Sequence, residues 1–294
     1  MTQISQGPEA RAIFNRYAGN LRHGPLISTI APVPNYAGAE MASKIGTAID
    51  YMIRMRICPL FNESNVVELR GRTMLAEVAA AEMAREAAFK GIYYGNRADD
   101  AFYLTLEARE FMTTMNPKRY KTDDLVKYGW DLAALDSYLW NGSWPKKNSI
   151  NTEIKKELSE MNAIFCPEIL FKPKRFVFLN PVFGLSAKAG GLDADLIVDD
   201  EICEIKAVAK VGAKPNTTTL LQLAGYAALM AKSGVHANRP PNSKRNEIEE
   251  ITPRFISIYY ARHGVKTKWA LDDLFPNGGF PAFADEFVNF ACGL

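Results

Sequence analysis

Residues 190–206 constrain this chain more than any other stretch, because they predict a β-hairpin that carries acidic side chains on apolar strands. The runs on either side of Asp199 and Asp200 are apolar and β-prone, and the two aspartates suit a two-residue turn between them. A turn of this length places Val198 opposite Glu201 across the ladder. We therefore predict an antiparallel hairpin whose register this turn fixes.

The predicted register places four polar side chains on one face of the hairpin. Counting back from the turn, Asp195 lies opposite Glu204, and Asp193 lies opposite Lys206. All four share a face because side chains alternate along a strand. Solvent exposure would suit acids at the tip of the hairpin, such as Glu201, but it does not suit charged residues that interrupt buried strands. This polarity is instead typical of a functional site.

A divalent metal ion is the simplest ligand for such a face. Mg²⁺ takes oxygen ligands, commonly one or two carboxylates together with waters and phosphate oxygens, and Mn²⁺ can substitute for it. A lysine beside the ion can orient or deprotonate a water molecule, or neutralise charge on a phosphate. We predict that Asp195 and Glu204 bind the metal and that Lys206 has this catalytic role.

Two motifs in this order resemble the RecB-like branch of the PD-(D/E)XK nuclease superfamily. The first is Asp195 followed by the acid-x-lysine run at 204–206, and the second is Gln222 with Tyr226, four residues apart on one face of a predicted helix. The resemblance implies an α/β protein with a restriction-endonuclease-like core, in which helices flank a mixed central sheet. It also implies a metal-dependent deoxyribonuclease, with DNA as its partner.

The resemblance also implies roles for the residues around these motifs. The carbonyl group of Ile205 would be a further metal ligand. Asp193 would be a second acid or an alternative ligand to Asp195, since a slip of one residue in the hairpin would turn both to the other face. Gln222 and Tyr226 would orient the phosphate or the catalytic lysine.

An upstream helix over 43–58 adds a third element. Many RecB-like nucleases have the pattern Gly-x-x-x-His in this helix, with a metal-binding histidine, whereas this chain has Asp50 four residues after Gly46. An aspartate can also bind a hard metal ion, so Asp50 is either a ligand or an ordinary polar residue of the helix. The other candidates for an upstream acid are Glu153, Glu157, Glu160 and Glu168.

The remaining sequence argues against several classes of protein. The four cysteines are far apart, which excludes a Cys-x-x-Cys zinc or redox motif, and the C-terminal cysteine trio that holds an iron–sulfur cluster in some RecB-like nucleases is missing. No apolar run approaches the roughly 20 residues that span a bilayer, and the N-terminus does not resemble a signal peptide. We therefore expect a cytoplasmic protein without zinc, an iron–sulfur cluster or membrane contact.

Basic residues downstream of the acidic hairpin are candidates for phosphate contacts. The net charge of +2 neither requires nor excludes nucleic acid, and each basic group could equally be solvated surface. Local clusters of cations can nevertheless hold the phosphates that dominate nucleic-acid affinity. The predicted nucleic-acid-binding residues are Lys210, Lys214, Arg262, Lys266 and Lys268.

The predicted elements divide the chain into a helical first half and an α/β second half. We predict helices over 9–22, 43–58, 72–90, 98–115, 122–140 and 151–165, then a strand over 176–179, the hairpin, a helix over 217–230, an exposed loop over 235–253, strands over 254–260 and 266–271, and a helix over 283–290. Two organisations stay open. Residues 1–150 form a separate helical region before a nuclease core at 151–294, or the helical region is an insertion in a single nuclease fold that begins with the helix over 43–58.

The sequence as a whole predicts a nuclease and leaves two alternatives open. A nuclease-like fold could hold nucleic acid or another protein without cutting, and two acids with a lysine could also serve a phosphodiesterase acting on a small nucleotide. The helical first half could shape the substrate channel or bind a protein partner, and an enzyme that cuts both strands would often form a homodimer. Restriction, phage defence, repair and mobile-element processing would all use this chemistry.

Overall fold

The computed structural model describes residues 7–21, 31–62, 68–70, 79–85, 101, 103–108, 110, 121–141, 150–212, 214–236 and 248–294. The helices are α1 (Pro8–Tyr17), α2 (Ala42–Asn62), α3 (Thr122–Asn141), α4 (Thr152–Ile164), α5 (Pro167–Leu170), α6 (Thr217–Ser233), α7 (Leu271–Leu274) and α8 (Phe280–Cys292), with 3-10 turns at Ala39–Met41 and Pro276–Gly278. The strands are β1 (Glu68–Arg70), β2 (Phe176–Leu179), β3 (Val182–Phe183), β4 (Leu196–Val198), β5 (Glu201–Lys206), β6 (Val235–His236), β7 (Ile248–Glu249), β8 (Phe255–Tyr260) and β9 (Val265–Ala270).

The predicted division into a mostly helical first half and an α/β second half is confirmed. The helices predicted over 43–58, 122–140 and 151–165 are α2, α3 and α4. Residues 79–85 and the described residues between 101 and 110 are helical, and the rest of the helices predicted over 72–90 and 98–115 lies outside the described residues. No helix in the described ranges is long and apolar enough to cross a membrane.

Strands β2, β4, β5, β8 and β9 form a mixed sheet in that order. The β5–β8 pair is parallel and the other three pairs are antiparallel, and β1 pairs in parallel with β2 at the edge. Among the described residues, β8 is an internal strand of this sheet and β9 is an edge strand. Strands β3, β6 and β7 form a second sheet, so the segment predicted as a loop over 235–253 contains two strands. These strands are too short for their alternation to show in the sequence.

The hairpin of β4 and β5 has the predicted register over Leu196–Val198, whereas Asp193, predicted opposite Lys206, bridges to Val182. Val198 pairs with Glu201, and the turn between the strands has Asp199 in the left-handed region at φ +53°. The Asp199 carboxylate accepts hydrogen bonds from the backbone N–H groups of residues 174–176 at 2.8–2.9 Å. These bonds anchor the turn to the segment that leads into β2, and they stabilise the register.

The side chains of the sheet alternate between two buried clusters, one on each face. In β2, Val177 and Leu179 belong to one cluster while Phe176 and Phe178 belong to the other, as the period of two along a strand requires. The first cluster includes side chains of α2, α3 and α4, and the second includes side chains of α1, α6 and α8. Helices therefore cover the sheet on both faces, which explains the near-continuous apolar character of β2, β4 and β8.

The contact between α2 and α3 depends on Gly129. A Cβ atom at this position would lie 2.6 Å from the Met52 Cγ atom and 2.8 Å from the Ala48 carbonyl oxygen, and close-packed interiors do not accommodate such overlap without strain. Glycine thus permits the two helices to approach closely. This contact fixes the position of α2, the helix that carries Asp50.

A buried ion pair joins α4 to the end of β8 and to the segment before α2. The Arg262 guanidinium is paired with Glu157, and both side chains are fully buried. Glu157 also accepts a hydrogen bond from the Ala37 N–H group at 3.0 Å, and Arg262 donates to the carbonyl oxygens of Ala207 and Pro34 at 2.9 Å each. The pair therefore ties part of the helical first half to the sheet.

We predict that Glu157→Ala lowers the free energy of unfolding by about 3–5 kcal/mol, because it leaves the Arg262 charge buried without its partner. The exposed pair between Lys232 and Asp285 provides the control, since Lys232→Ala should cost less than about 1 kcal/mol. Urea denaturation of wild type and the two variants measures both losses. Similar losses in the two variants would contradict the structural role of the buried pair.

Candidate functional site

A cleft of about 940 Å³ opens where β4 begins and β5 ends. Residues of α2 and α6 form two of its walls. Every residue predicted for catalysis or metal binding lines this cleft, namely Asp50, Asp193, Asp195, Glu204, Ile205, Lys206, Gln222 and Tyr226. The fold therefore brings together motifs that are far apart in the chain.

The ends of β4 and β5 hold two acids and the lysine beside each other. The Asp195 Oδ2 atom accepts a hydrogen bond from the Ile205 N–H group at 2.7 Å, which extends the contact between the two strands beyond β4. Glu204 is buried, and the Lys206 Nζ atom lies 2.6 Å from its Oε1 atom. The acid-x-lysine run thus forms an ion pair within one strand, on the side of the sheet that faces the cleft.

Helix α6 presents Gln222 and Tyr226 to the same carboxylate. The Gln222 Nε2 atom donates to the Tyr226 hydroxyl oxygen at 2.7 Å and to Glu204 Oε1 at 3.3 Å. The buried Gln222 Oε1 atom has no hydrogen-bond partner among the described residues. Burial and the nearby Glu204 carboxylate keep the pKa of Tyr226 well above its usual range, so the phenol stays neutral.

Helix α2 adds an ion pair that the sequence analysis did not include in the site. The Arg54 guanidinium donates through Nε and Nη2 to the Asp50 carboxylate, one helical turn earlier. Burial raises the pKa of Asp50, with Arg54 opposing the shift and Asp195 adding to it. The spacing of four residues between a candidate site acid and an arginine was the available signal for Arg54.

Burial and repulsion from a neighbouring carboxylate also raise the pKa values of Glu204 and Asp193. Burial is the main cause for Glu204, whose pKa rises to about 7, while Asp195 adds to the shift and Lys206 opposes it. Burial and then Asp195 raise the pKa of Asp193 to about 6. Burial alone would lower the pKa of Lys206, but Glu204 and Asp195 outweigh this effect and raise it. The lysine is therefore a protonated ammonium group.

The cleft has the charge and the donor atoms that suit a divalent cation. The charged side chains that line it are five acids and four cations, namely Asp50, Asp136, Asp193, Asp195 and Glu204 with Arg54, Lys206, Lys210 and Arg262. When all of them are ionised, the acids outnumber the cations by one, and carboxylate oxygens are the ligands that Mg²⁺ prefers. In the part of the chain that the structure describes, however, no three His, Cys, Asp or Glu side chains form a preformed metal-binding group. The donors fit Mg²⁺ chemically, and they would have to exchange some of their present hydrogen bonds to bind it.

The structure separates Asp50 from the other candidates for an upstream acid. Asp50 lines the cleft, whereas Glu153, Glu157, Glu160 and Glu168 do not, although all four lie in described residues. Glu157 is paired with Arg262, and Glu160 accepts a hydrogen bond from the Tyr36 hydroxyl group at 3.1 Å. The fold thus offers Asp50, and none of these glutamates, to the hairpin acids.

Three of the five predicted phosphate contacts lie at or beside the cleft, namely Lys210, Lys214 and Arg262. Lys210 is exposed and lines it. Lys214 is also exposed, lines a smaller adjoining pocket with Lys206, and donates to the Asn20 Oδ1 atom at 3.1 Å. Both lysines follow β5 on the loop that leads to α6. They remain candidates for phosphate contacts at the edge of the cleft.

Three of the predicted basic residues are held in ion pairs within the protein, and of these only Arg262 lines the cleft. Arg262 is buried in its pair with Glu157, so its donors are used inside the protein. Lys266 and Lys268 lie on β9 and contact the Glu201 carboxylate at 2.9 and 2.7 Å, at the opposite end of β5 from the cleft. Glu201 itself is buried and accepts from the Ser257 hydroxyl group at 2.6 Å, so it is not a solvated residue of the hairpin tip.

Comparison with known proteins adds no relative to this description. The chain matches no protein family, no curated protein and no solved structure. The assignment of function therefore depends on the residues and the geometry of the cleft.

We predict that the metal-free protein becomes less stable as pH rises from about 5 to about 8. The folded state keeps a proton on Glu204 up to a pKa of about 7, against an ordinary value of 4.5, so unfolding releases a proton in this range and rising pH favours the unfolded chain. The fall in the free energy of unfolding from this group should be about 3 kcal/mol at most.

Denaturation in EDTA at several pH values measures this dependence. Glu204→Gln should flatten it, and Mg²⁺ should reduce it, whereas Glu250→Gln, a change at an exposed glutamate, should leave it unchanged. A free energy of unfolding that rises with pH in EDTA would contradict the raised pKa of Glu204 in the folded protein. The same pH dependence in wild type and Glu204→Gln would also contradict it.

Proposed function

We propose that this protein is a metal-dependent nuclease that hydrolyses phosphodiester bonds in DNA on a restriction-endonuclease-like core. One observation carries the proposal: the acid, the acid-x-lysine run, the Gln-x-x-x-Tyr pair and the acid of the first core helix all line one cleft. A sequence motif alone has many chance matches. Chance matches in separate parts of a chain have no reason to converge on one buried, charged site.

The fold supports the same proposal. The acid-x-lysine strand β5 is internal to a mixed sheet and pairs in parallel with β8. Helices pack on both faces of this sheet, with α2 on one face and α6 on the other, and residues of both helices line the cleft. This is the arrangement of helices around a mixed central sheet that a restriction-endonuclease-like core requires.

In the proposed mechanism, Asp195 and Glu204 hold Mg²⁺, with the Ile205 carbonyl oxygen as a further ligand and Asp193 as a neighbouring acid. The bound ion supplies Lewis-acid chemistry, which polarises the phosphate and lowers the pKa of a bound water molecule. Deprotonated carboxylates are needed for this binding, and the raised pKa of Glu204 makes it favourable above about pH 7.

Lys206 and the α6 pair have positioning roles in this mechanism. Lys206 holds its ammonium group 2.6 Å from Glu204, where it can orient the attacking water or neutralise charge that develops on the phosphate. Gln222 bridges Glu204 and Tyr226 through its Nε2 atom and so fixes the orientation of the Glu204 carboxylate. Its Oε1 atom, which has no partner in the described residues, can accept a hydrogen bond from a water molecule in the cleft.

A protein that holds nucleic acid without cutting it is the second candidate. The observation that favours it is that no preformed group of three metal ligands exists among the described residues. The complete set of two acids and a lysine favours the nuclease, because a site that only binds an anion has no use for buried carboxylates.

We predict that the wild-type protein cuts DNA in Mg²⁺ or Mn²⁺ but not in EDTA, and that Lys206→Ala reduces the cleavage rate by at least about 100-fold. The reason is the loss of the ammonium group that faces the reacting phosphate. Gel assays with supercoiled plasmid, linear duplex and single-stranded DNA measure the rates. Lys188→Ala removes an exposed lysine that does not line the cleft and should leave the rate unchanged.

The three substrates also identify the mode of cutting. Nicked or linearised circles indicate an endonuclease, whereas loss of the linear substrates alone indicates a need for strand ends. Cleavage that persists in EDTA, or at the wild-type rate in Lys206→Ala, would contradict the mechanism. No cleavage of any substrate would favour the protein that binds without cutting.

A further inference from the structure

Asn180 lines the cleft, and its side-chain N–H group has no acceptor among the described residues. It follows β2, it is 1% exposed, and it lines the same cleft as Asp195 and Glu204. Its Nδ2 atom is buried and has no hydrogen-bond acceptor among the described residues. Because a buried donor without an acceptor is costly, such groups are rare and require an explanation.

The backbone holds Asn180 in an uncommon conformation beside the acids. Its φ angle is +49°, in the left-handed region that asparagine adopts more readily than most residues. The Asn180 N–H group donates to the Asp195 carbonyl oxygen at 3.0 Å, and the Ala194 N–H group donates to the Pro181 carbonyl oxygen at 3.1 Å. These two bonds fix the backbone of Asn180 beside the segment that carries Asp195. Uncommon backbone conformations of this kind concentrate at functional sites.

The surroundings of Asn180 indicate which kind of acceptor is missing. The Asp195 and Glu204 carboxylates line the same cleft, and neither accepts from this amide; they accept from the Ile205 N–H group and from Lys206 instead. Because these carboxylates are engaged elsewhere, a molecule that enters the cleft can supply the acceptor. A phosphate oxygen suits it because an amide N–H can bind an anion without adding a charge to the site.

We propose that Asn180 binds substrate by donating its Nδ2–H group to a non-bridging phosphate oxygen of the nucleic-acid strand. This inference rests on the proposed function, since it takes the cleft to be the place where the strand lies. The contact between Asn180 and the phosphate is not part of the acid, acid-x-lysine and Gln-x-x-x-Tyr motifs. Asn180 contacts the substrate, whereas the hairpin acids hold the metal.

Two variants of Asn180 test the contact, one by removing the side-chain amide and one by replacing it with a carboxylate. Asn180→Gly removes the amide and is compatible with a positive φ angle. Asn180→Asp keeps the shape and replaces the N–H donor with a carboxylate that repels phosphate. The controls are Asn277→Gly and Asn277→Asp, which make the same changes at an exposed asparagine that also has a positive φ angle and does not line the cleft.

The measurements are the affinity for a fluorescein-labelled single-stranded DNA oligonucleotide and the thermal unfolding midpoint of the free protein. Affinity is measured by fluorescence anisotropy in Ca²⁺, a hard cation that takes the same oxygen ligands as Mg²⁺. We expect about tenfold weaker binding for Asn180→Gly, a larger loss for Asn180→Asp, and little change for the Asn277 variants. The unfolding midpoint of Asn180→Gly should equal or exceed that of wild type, because the free protein loses no hydrogen bond.

Two results would overturn the inference. One is Asn180→Gly that binds the oligonucleotide as tightly as wild type. The other is a large loss of thermal stability in that variant, which would show that the amide has a partner within the free protein. The binding comparison does not depend on cleavage. A wild-type protein that binds the strand but does not cut it in Mg²⁺ would contradict the nuclease proposal. The affinities of wild type and the Asn180 variants would still decide this inference.

Discussion

The tight turn between β4 and β5 is the constraint on which the rest of the site depends. Asp199 adopts a left-handed conformation at this turn, and its carboxylate binds three backbone N–H groups at the start of β2. The register that follows brings Asp195 to the Ile205 N–H group and places Glu204 in the cleft. A slip of one residue would turn the strand's acids to the other face of the sheet. The geometry of the candidate site is therefore a consequence of a local turn.

The helical first half of the chain supplies one wall of the cleft through α2. The close approach of α2 and α3 at Gly129 and the buried pair of Glu157 with Arg262 position the helix that carries Asp50 and Arg54. Arg54 opposes part of the negative charge of the hairpin acids, since it lowers the pKa of Asp193 against the effect of burial. The cleft thus needs both halves of the chain, and its charge is only partly compensated by the protein itself.

Local patterns predicted much of the fold and of the site, whereas long-range packing did not follow from them. The two-residue turn was sufficient to predict the register of Val198 with Glu201, and helical periodicity was sufficient to place Gln222 and Tyr226 on one face. The partners of Lys266 and Lys268 depend on the pairing of β5 with β8 and of β8 with β9, which joins distant segments. The place of Asn180 in the cleft could not be predicted, because neither its burial nor its positive φ angle can be read from the sequence.

The central claim is that the acids at the ends of β4 and β5 bind a divalent cation, and anomalous diffraction tests it most directly. Crystals grown with Mn²⁺ would be measured near the manganese absorption edge, with Glu204→Gln crystals as the control. The account predicts a strong anomalous peak within direct bonding distance of Asp195 and Glu204 in wild type, and its loss or marked weakening in the variant. A cleft without a peak at Mn²⁺ concentrations that support cleavage, or a peak that persists in the variant, would contradict it.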